Sequence, residues 1–337
     1  MKICCLQLEP KLGQVQENIN HATDMIAHLK PEDVDVLVLP EMAFTGYVFK
    51  SKDHIRPYLE DSKTGPSVTW AMAQAIRLNA HVVVGYPERR VVNPSDPTKE
   101  QFYNSIAFVS PTGQLLTTYA KHFLYYTDEN WAEEGPAFES IHVPGLGQVG
   151  FGICMDVNPY RFQSAFQEME FSTFHLKHKS DLILCSMAWN KGEEAPKKEK
   201  VLPKPKSEKS KARLAKAKAQ GELGEGEGVA EDEDDDEDWE DEESDEETTE
   251  EKALRLEEEA QKLRYETIQY WALRMSPFYD QKSKPPHKAH IVIANRIGTE
   301  DGNLFVGSSC VMHLTSEGPR LCGVLSANTE GVLKVHT

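Results

Sequence analysis

The stretch from Lys191 to Glu251 cannot enter a hydrophobic core, so the residues on either side of it must supply the fold. Lys191 to Gly221 is lysine-rich, with a net charge of +7, and Glu222 to Glu251 holds twenty acids and no base, including EDEDDDED at Glu231–Asp238. So polar a segment buries too little apolar surface to offset the entropy of ordering it. We expect a disordered insertion at 191–251 looping out of one folded domain that spans 1–337. Two readings of the insertion stand: a solvated surface loop, or an acidic docking tract for a basic partner. Without it the formal net charge falls from −18 to −5. That balance argues against a general nucleic-acid binder, whose phosphate-tracking surface needs excess lysine and arginine.

No apolar run approaches the roughly 18 residues of a membrane span. The opening MKICCLQLEP turns polar by Glu9, too early for the core of a signal peptide. Six cysteines in 337 residues do not make a disulfide framework. No Cys-x-x-Cys pair or His-x-x-x-His spacing suggests a metal site. We therefore expect reduced thiols, a cytosolic or nuclear protein, and no metal. Cys4 and Cys5 are neighbours in an expected strand, so their side chains should face opposite ways.

Short apolar runs alternate with helical patterns. Strands are expected at Ile3–Leu8, Asp35–Leu39, His81–Gly85, Gln148–Ile153, Asp181–Met187, Ile291–Ala294, Ser309–Leu314 and Leu321–Ser326. Ser110-Pro111-Thr112-Gly113 predicts a hairpin joining Ser105–Val109 to Leu115–Tyr119. Helices are expected at Val15–Leu29, from Gly65-Pro66-Ser67 to Asn79, at Phe162–Lys177 and at Lys252–Met275. This mixture of crossovers and hairpins suits a layered α/β fold with mixed sheets. There is no Gly-x-Gly-x-x-Gly, phosphate loop or Gly-x-Ser-x-Gly elbow to support a nucleotide fold or a serine hydrolase, and no cofactor is implied.

Three residues could carry chemistry. Cys154 ends an apolar strand just before an expected helix, where a side chain is presented at the carboxyl edge of a sheet and following N–H groups can face an oxyanion. Glu41 follows another apolar strand in Leu39-Pro40-Glu41-Met42, and such surroundings raise a carboxyl pKa as a general base requires. Lys121 closes the second hairpin strand. Each has a bland alternative: a core thiol, a loop glutamate in water, a solvated strand end. No histidine stands where a base for Cys154 would be expected.

Taken in order, Pro40-Glu41-x-x-x-Thr45-Gly46-Tyr47, Tyr119-x-Lys121-x-x-Leu124 and Gly150-x-x-Ile153-Cys154-x-Asp156 resemble the nitrilase superfamily of carbon–nitrogen hydrolases. Asn295-Arg296-Ile297-Gly298, Phe305-x-Gly307-Ser308-Ser309 and Glu330-Gly331-Val332-Leu333 extend the resemblance over the whole chain except the insertion. It implies a four-layer αββα sandwich and a Glu41–Lys121–Cys154 triad acting through a thioester, with Lys121 and the Met155 N–H holding the oxyanion. It also implies a second glutamate after the lysine. Glu129, in Glu-x-Trp, is the expected residue, with Asp128, Glu133 and Glu134 as competitors.

Lys121-x-Phe-Leu-Tyr-x-Thr-Asp-Glu-x-Trp, Cys154-Met-Asp-x-x-Pro-Tyr and Ser186-Met187-Ala188-Trp189 are similar to the fungal protein N-terminal amidase subfamily. That resemblance implies deamidation of N-terminal Asn and Gln to Asp and Glu, feeding the N-degron pathway. Substrate contacts are then expected at Met155, Asp156 and Trp189. Asp156 would pair with the α-ammonium of the substrate, unless it caps the following helix or pairs with a neighbour. The competing readings are a small-molecule ω-amidase or aliphatic amidase, for which Arg161 or Arg296 could clamp a carboxylate, and a catalytically weak binding scaffold.

Overall fold

Two runs of consecutive parallel strands organise the chain, and each places its carboxyl ends along one edge. The computed structural model describes residues 1–91, 96, 99–191, 249–280 and 287–337. Residues 192–248, most of the expected insertion, lie outside the described set. Residues 1–191 and 254–337 form one compact unit.

The first half supplies β1 (Lys2–Gln7), α1 (Val15–Met25), β2 (Val36–Val38), α2 (Lys52–Ile55), α3 (Pro66–Leu78), β3 (His81–Val91), β4 (Glu100–Val109) and β5 (Leu115–Ala120). The second supplies β6 (Ser140–Val143), β7 (Gly147–Ile153), α4 (Glu170–Lys177), β8 (Leu182–Met187), α5 (Thr249–Arg274), β9 (Ala289–Asn295), β10 (Ile297–Glu300), β11 (Asn303–Val306), β12 (Cys310–Thr315), β13 (Gly318–Val324) and β14 (Gly331–His336). They build two six-stranded sheets, ordered β14-β1-β2-β3-β4-β5 and β13-β12-β9-β8-β7-β6, with β10 and β11 as a separate hairpin. In each sheet the central strands β1–β2–β3 or β7–β8–β9 are parallel and the flanking pairs antiparallel.

Strand alternation sorts side chains between layers. Ile3, Cys5, Val36, Val38 and Val83 point between the sheets and join Val149, Phe151 and Leu184 of the second. Cys4, Leu6, Leu37, Leu39 and Val82 point the other way, onto Ala22, Ile26, Trp70, Ala71 and Leu78 of the helical layer. Cys4 and Cys5 thus lie in different layers, as adjacent strand residues should. Phe171 of α4 and Trp271 of α5 pack with the second sheet, which completes the αββα sandwich. All six cysteines are free. Among the described residues no helix is long and apolar enough to cross a membrane.

The expected helix from Gly65 to Asn79 forms between its cap signals. Gly65 caps α3, Pro66 opens it, and Asn79 ends it in left-handed backbone. The expected helix Phe162–Lys177 shrinks to Glu170–Lys177. Arg161, Phe162 and Met169 all have positive φ, at 52°, 53° and 48°. A right-handed helix cannot continue through such residues, so short 3-10 turns replace its first half. Helix α1 also stops at Met25, short of the expected Leu29, although Ile26 and Leu29 remain buried.

Candidate active site

Four chain segments leave the sheets along the same edge, and each carries one component of the site. Glu41 lies shortly beyond β2, Lys121 directly after β5, Cys154 directly after β7 and Ala188 directly after β8. The two sheets are stitched together there: the Glu41 N–H donates to Met187 O (3.3 Å), Ser186 Oγ to Leu39 O (2.7 Å) and the Ala188 N–H to Glu41 Oε2 (2.7 Å). Two glycines permit the close backbone packing. A Cβ on Gly85 would lie 2.7 Å from Glu41 Cα, and one on Gly135 would lie 3.0 Å from Lys121 O.

Lys121 Nζ donates to Glu41 Oε1 (2.6 Å) and to Asp128 Oδ2 (2.5 Å), and all three side chains are fully buried. The Asn104 amide donates to Glu41 Oε1 (2.6 Å) and Asp128 Oδ1 (2.9 Å). The Tyr125 N–H (3.0 Å) and the Tyr47 hydroxyl (3.3 Å) complete the shell of Asp128. Burial alone would favour neutral Lys121, but Asp128 and Glu41 outweigh it and hold the ammonium charged. Burial raises the Glu41 carboxyl, opposed by Lys121 and reinforced by Asp128.

Cys154 has φ 40°, a left-handed conformation costly for a residue with a side chain. Its exposure is 7%. Burial pushes the thiol well above its ordinary pKa and Glu41 adds to the rise, while Lys121 and the Ala188 N–H pull against it. The resting sulfur is therefore protonated, and a nucleophile here needs a base. Glu41 is the buried carboxylate that acts on it most strongly.

The expected second carboxylate is displaced by one residue. Glu129 is 41% exposed, 3.8 Å from Arg161, and lines an open cleft of about 590 Å³ with Glu133 and Glu134. Asp128 occupies the inner position. The two sit in a 3-10 turn, Asp128–Asn130, where about 120° separates consecutive side chains.

Asp156 is not open to a ligand. It accepts from Tyr119 Oη (2.8 Å) and from the N–H groups of His122 (3.1 Å), Phe123 (2.8 Å) and Ile153 (2.8 Å). It therefore binds the chain after Lys121 to the Cys154 turn, and the α-ammonium contact expected of it is replaced by structural pairing. Met155 is buried beside Cys154. The Trp189 ring packs on Tyr270 and Trp271 (5.5 and 5.7 Å), while the Trp189 backbone N–H donates to Asn295 Oδ1 (2.8 Å). Arg296 is buried in a pair with Glu300 (2.8 Å), and Glu300 in turn accepts from the Tyr47 and Val48 N–H groups. It braces the loop after Glu41 rather than offering a carboxylate clamp. Arg161 lies outside, near Glu134 (3.3 Å). Asn104 carries no signal in the sequence: it lies just outside the expected strand Ser105–Val109, and the structure brings it into β4. Among the described residues no cluster of three or more His, Cys, Asp or Glu could hold a metal.

The carbon–nitrogen hydrolase family model matches residues 2–160. A protein N-terminal amidase of Schizosaccharomyces pombe is 31% identical across 99% of this chain and 98% of its own length. One from Saccharomyces cerevisiae is 32% identical over 56% of this chain and 45% of its own. A crystal structure of an N-terminal amidase with an Asn-Glu-Ala peptide superposes with a TM-score of 0.70 at 25% identity, covering 99% of this chain and 96% of that one. Sequence relationship, sandwich topology and the Glu–Lys–Cys edge thus converge, and this chain belongs to the carbon–nitrogen hydrolases, in their protein N-terminal amidase branch.

Proposed function

We propose that this chain hydrolyses the side-chain carboxamide of N-terminal Asn and Gln in proteins and peptides, giving Asp and Glu and releasing ammonia. The observation that carries the chemistry is the buried Glu41–Lys121–Asp128 cluster acting on a protonated Cys154 thiol. The substrate class is supported by the relatives and by N-terminal amidase structures solved with Asn-Glu-Ala and Gln-Gly peptides.

In this reading Cys154 Sγ attacks the carboxamide carbon as its proton passes to Glu41. Lys121 and the Met155 N–H stabilise the developing oxyanion. Collapse breaks the C–N bond, and Glu41 gives its proton to the departing ammonia, leaving a thioester. Water then attacks the thioester carbon, its proton going to Glu41, and collapse returns a proton to the sulfur and releases the carboxylate product. Asp128 fills the position expected of Glu129: it keeps Lys121 charged and fixed.

The reading treats 1–337 as one hydrolase domain carrying the charged insertion, working in the cytosol or nucleus, where its product termini would enter the N-degron pathway. The test compares an Asn-initiated peptide, its N-acetylated form and free glutamine in an ammonia-release assay. The reading predicts that the free peptide is the best substrate and that acetylation costs at least about tenfold in kcat/KM, since a charge-assisted contact in a pocket is worth about 1.5–3 kcal/mol. Faster turnover of free glutamine would favour a small-molecule amidase.

A further inference from the structure

Asn104, on β4, touches all three charged members of the buried cluster. Its carbonyl accepts the Lys121 N–H (2.8 Å), and its side-chain Nδ2 donates to Glu41 Oε1 (2.6 Å) and Asp128 Oδ1 (2.9 Å). The side chain is 1% exposed. The amide orientation is fixed by chemistry, because the opposite one would set oxygen against two carboxylate oxygens. Asn104 Oδ1 is left buried without a partner among the described residues. Leaving a buried acceptor unpaired is destabilising. An apolar residue in its place would avoid that cost, so the donor pair has a use beyond packing.

We propose that Asn104 is a positioning residue for the base, a neutral clasp that sets Glu41 and Asp128 on either side of Lys121 and keeps Glu41 able to ionise. The inference rests on Glu41 acting as the base. Two carboxylates share one ammonium here, so the cluster carries more negative than positive charge. Its other titratable neighbours are Cys154, Tyr47, Tyr125 and Asp156, with Arg296 farther out. A second cation at 104 would quench the basicity of Glu41. An apolar side chain would leave Glu41 with less to oppose burial, and so protonated to higher pH. A neutral double donor avoids both.

The test measures kcat and KM across pH for the full chain on an Asn-initiated peptide, with melting curves to establish folding. Asn104→Ser shortens the donor beyond reach. We expect kcat near neutral pH to fall at least about tenfold with KM within about threefold, and the acid limb to move up by about one pH unit, so the deficit shrinks as pH rises. Asn104→Asp has the opposite trend, because its carboxyl can donate only while protonated, so its deficit grows with pH. A merely structural role would lower activity equally at every pH. A uniform loss, an unmoved acid limb in a folded variant, or failure of both variants to fold would overturn the proposal. Inactivity of the unaltered protein at every pH would instead overturn the base assignment beneath it.

Discussion

Asp128 and Asp156 are both fully buried on the same edge of the sandwich, yet their partners differ in kind. Asp156 takes only neutral donors: three backbone N–H groups and the Tyr119 hydroxyl. Those bonds hold two loops together and leave its oxygens fully engaged. Asp128 takes a cation, Lys121, together with Asn104, Tyr125 and Tyr47. Its charge therefore sets the state of its neighbours: it raises Lys121 and adds to the rise of Glu41. A buried carboxylate spent on neutral donors braces the loops, and one facing a buried ammonium holds that cation charged.

Substitutions can break or sharpen this contrast. Glu41→Gln removes the proposed base and should lower kcat by about 10²–10⁴-fold in a folded protein, measured by ammonia release. Since burial raises the Glu41 carboxyl, activity in the unaltered protein should fade on acidification at a pH above the ordinary carboxylate range. Asp128→Asn should cost roughly 10²-fold by loosening Lys121, whereas Glu129→Gln should stay within about threefold. Equal losses at 128 and 129 would erase the distinction between inner and outer acid. Asp156→Asn should reduce stability by about 2–3 kcal/mol, because an amide cannot accept on both sides. Its folded fraction should keep both its turnover and its preference for free over acetylated peptides.

The smallest effect concerns Glu60. It accepts from Ser67 N–H (2.8 Å) and Oγ (2.6 Å) at the start of α3, and burial raises it from 4.5 to about 7. A raised folded pKa means the native state holds its proton longer, so this contribution to stability is full below about 4.5 and is lost as pH rises through about 7. Glu60→Gln should flatten the decline of unfolding free energy across that window, read from denaturant titrations at several pH values.

What was legible in the sequence follows from which signals are local. Glu41, Lys121 and Cys154 each follow a strand that an apolar run or a hairpin signal marks, and their order along the chain marks the family. Gly65-Pro66 and Asn79 bracket α3 because caps are local chemistry. Asp128 and Glu129 differ only in the phase of one 3-10 turn, and no periodicity precedes them to fix it. The first half of Phe162–Lys177 has helical spacing, but left-handed residues at 161, 162 and 169 interrupt it. None of the three is a glycine, so no residue type announced the break. Asp156 looked available because three of its four donors, on Tyr119, His122 and Phe123, lie more than thirty positions away. Asn104 was silent for the same reason: Glu41 and Asp128 reach it only through the fold.

The most direct test of covalent amide hydrolysis on this edge is ammonia release from an Asn-initiated peptide by the unaltered chain and by Cys154→Ala. Removing the thiol should leave the melting curve close to that of the unaltered chain, because a small buried side chain is only slightly truncated. The account predicts ammonia and an Asp-initiated product from the unaltered chain, and no release above background from Cys154→Ala. Release by a folded Cys154→Ala protein at the original rate would contradict it.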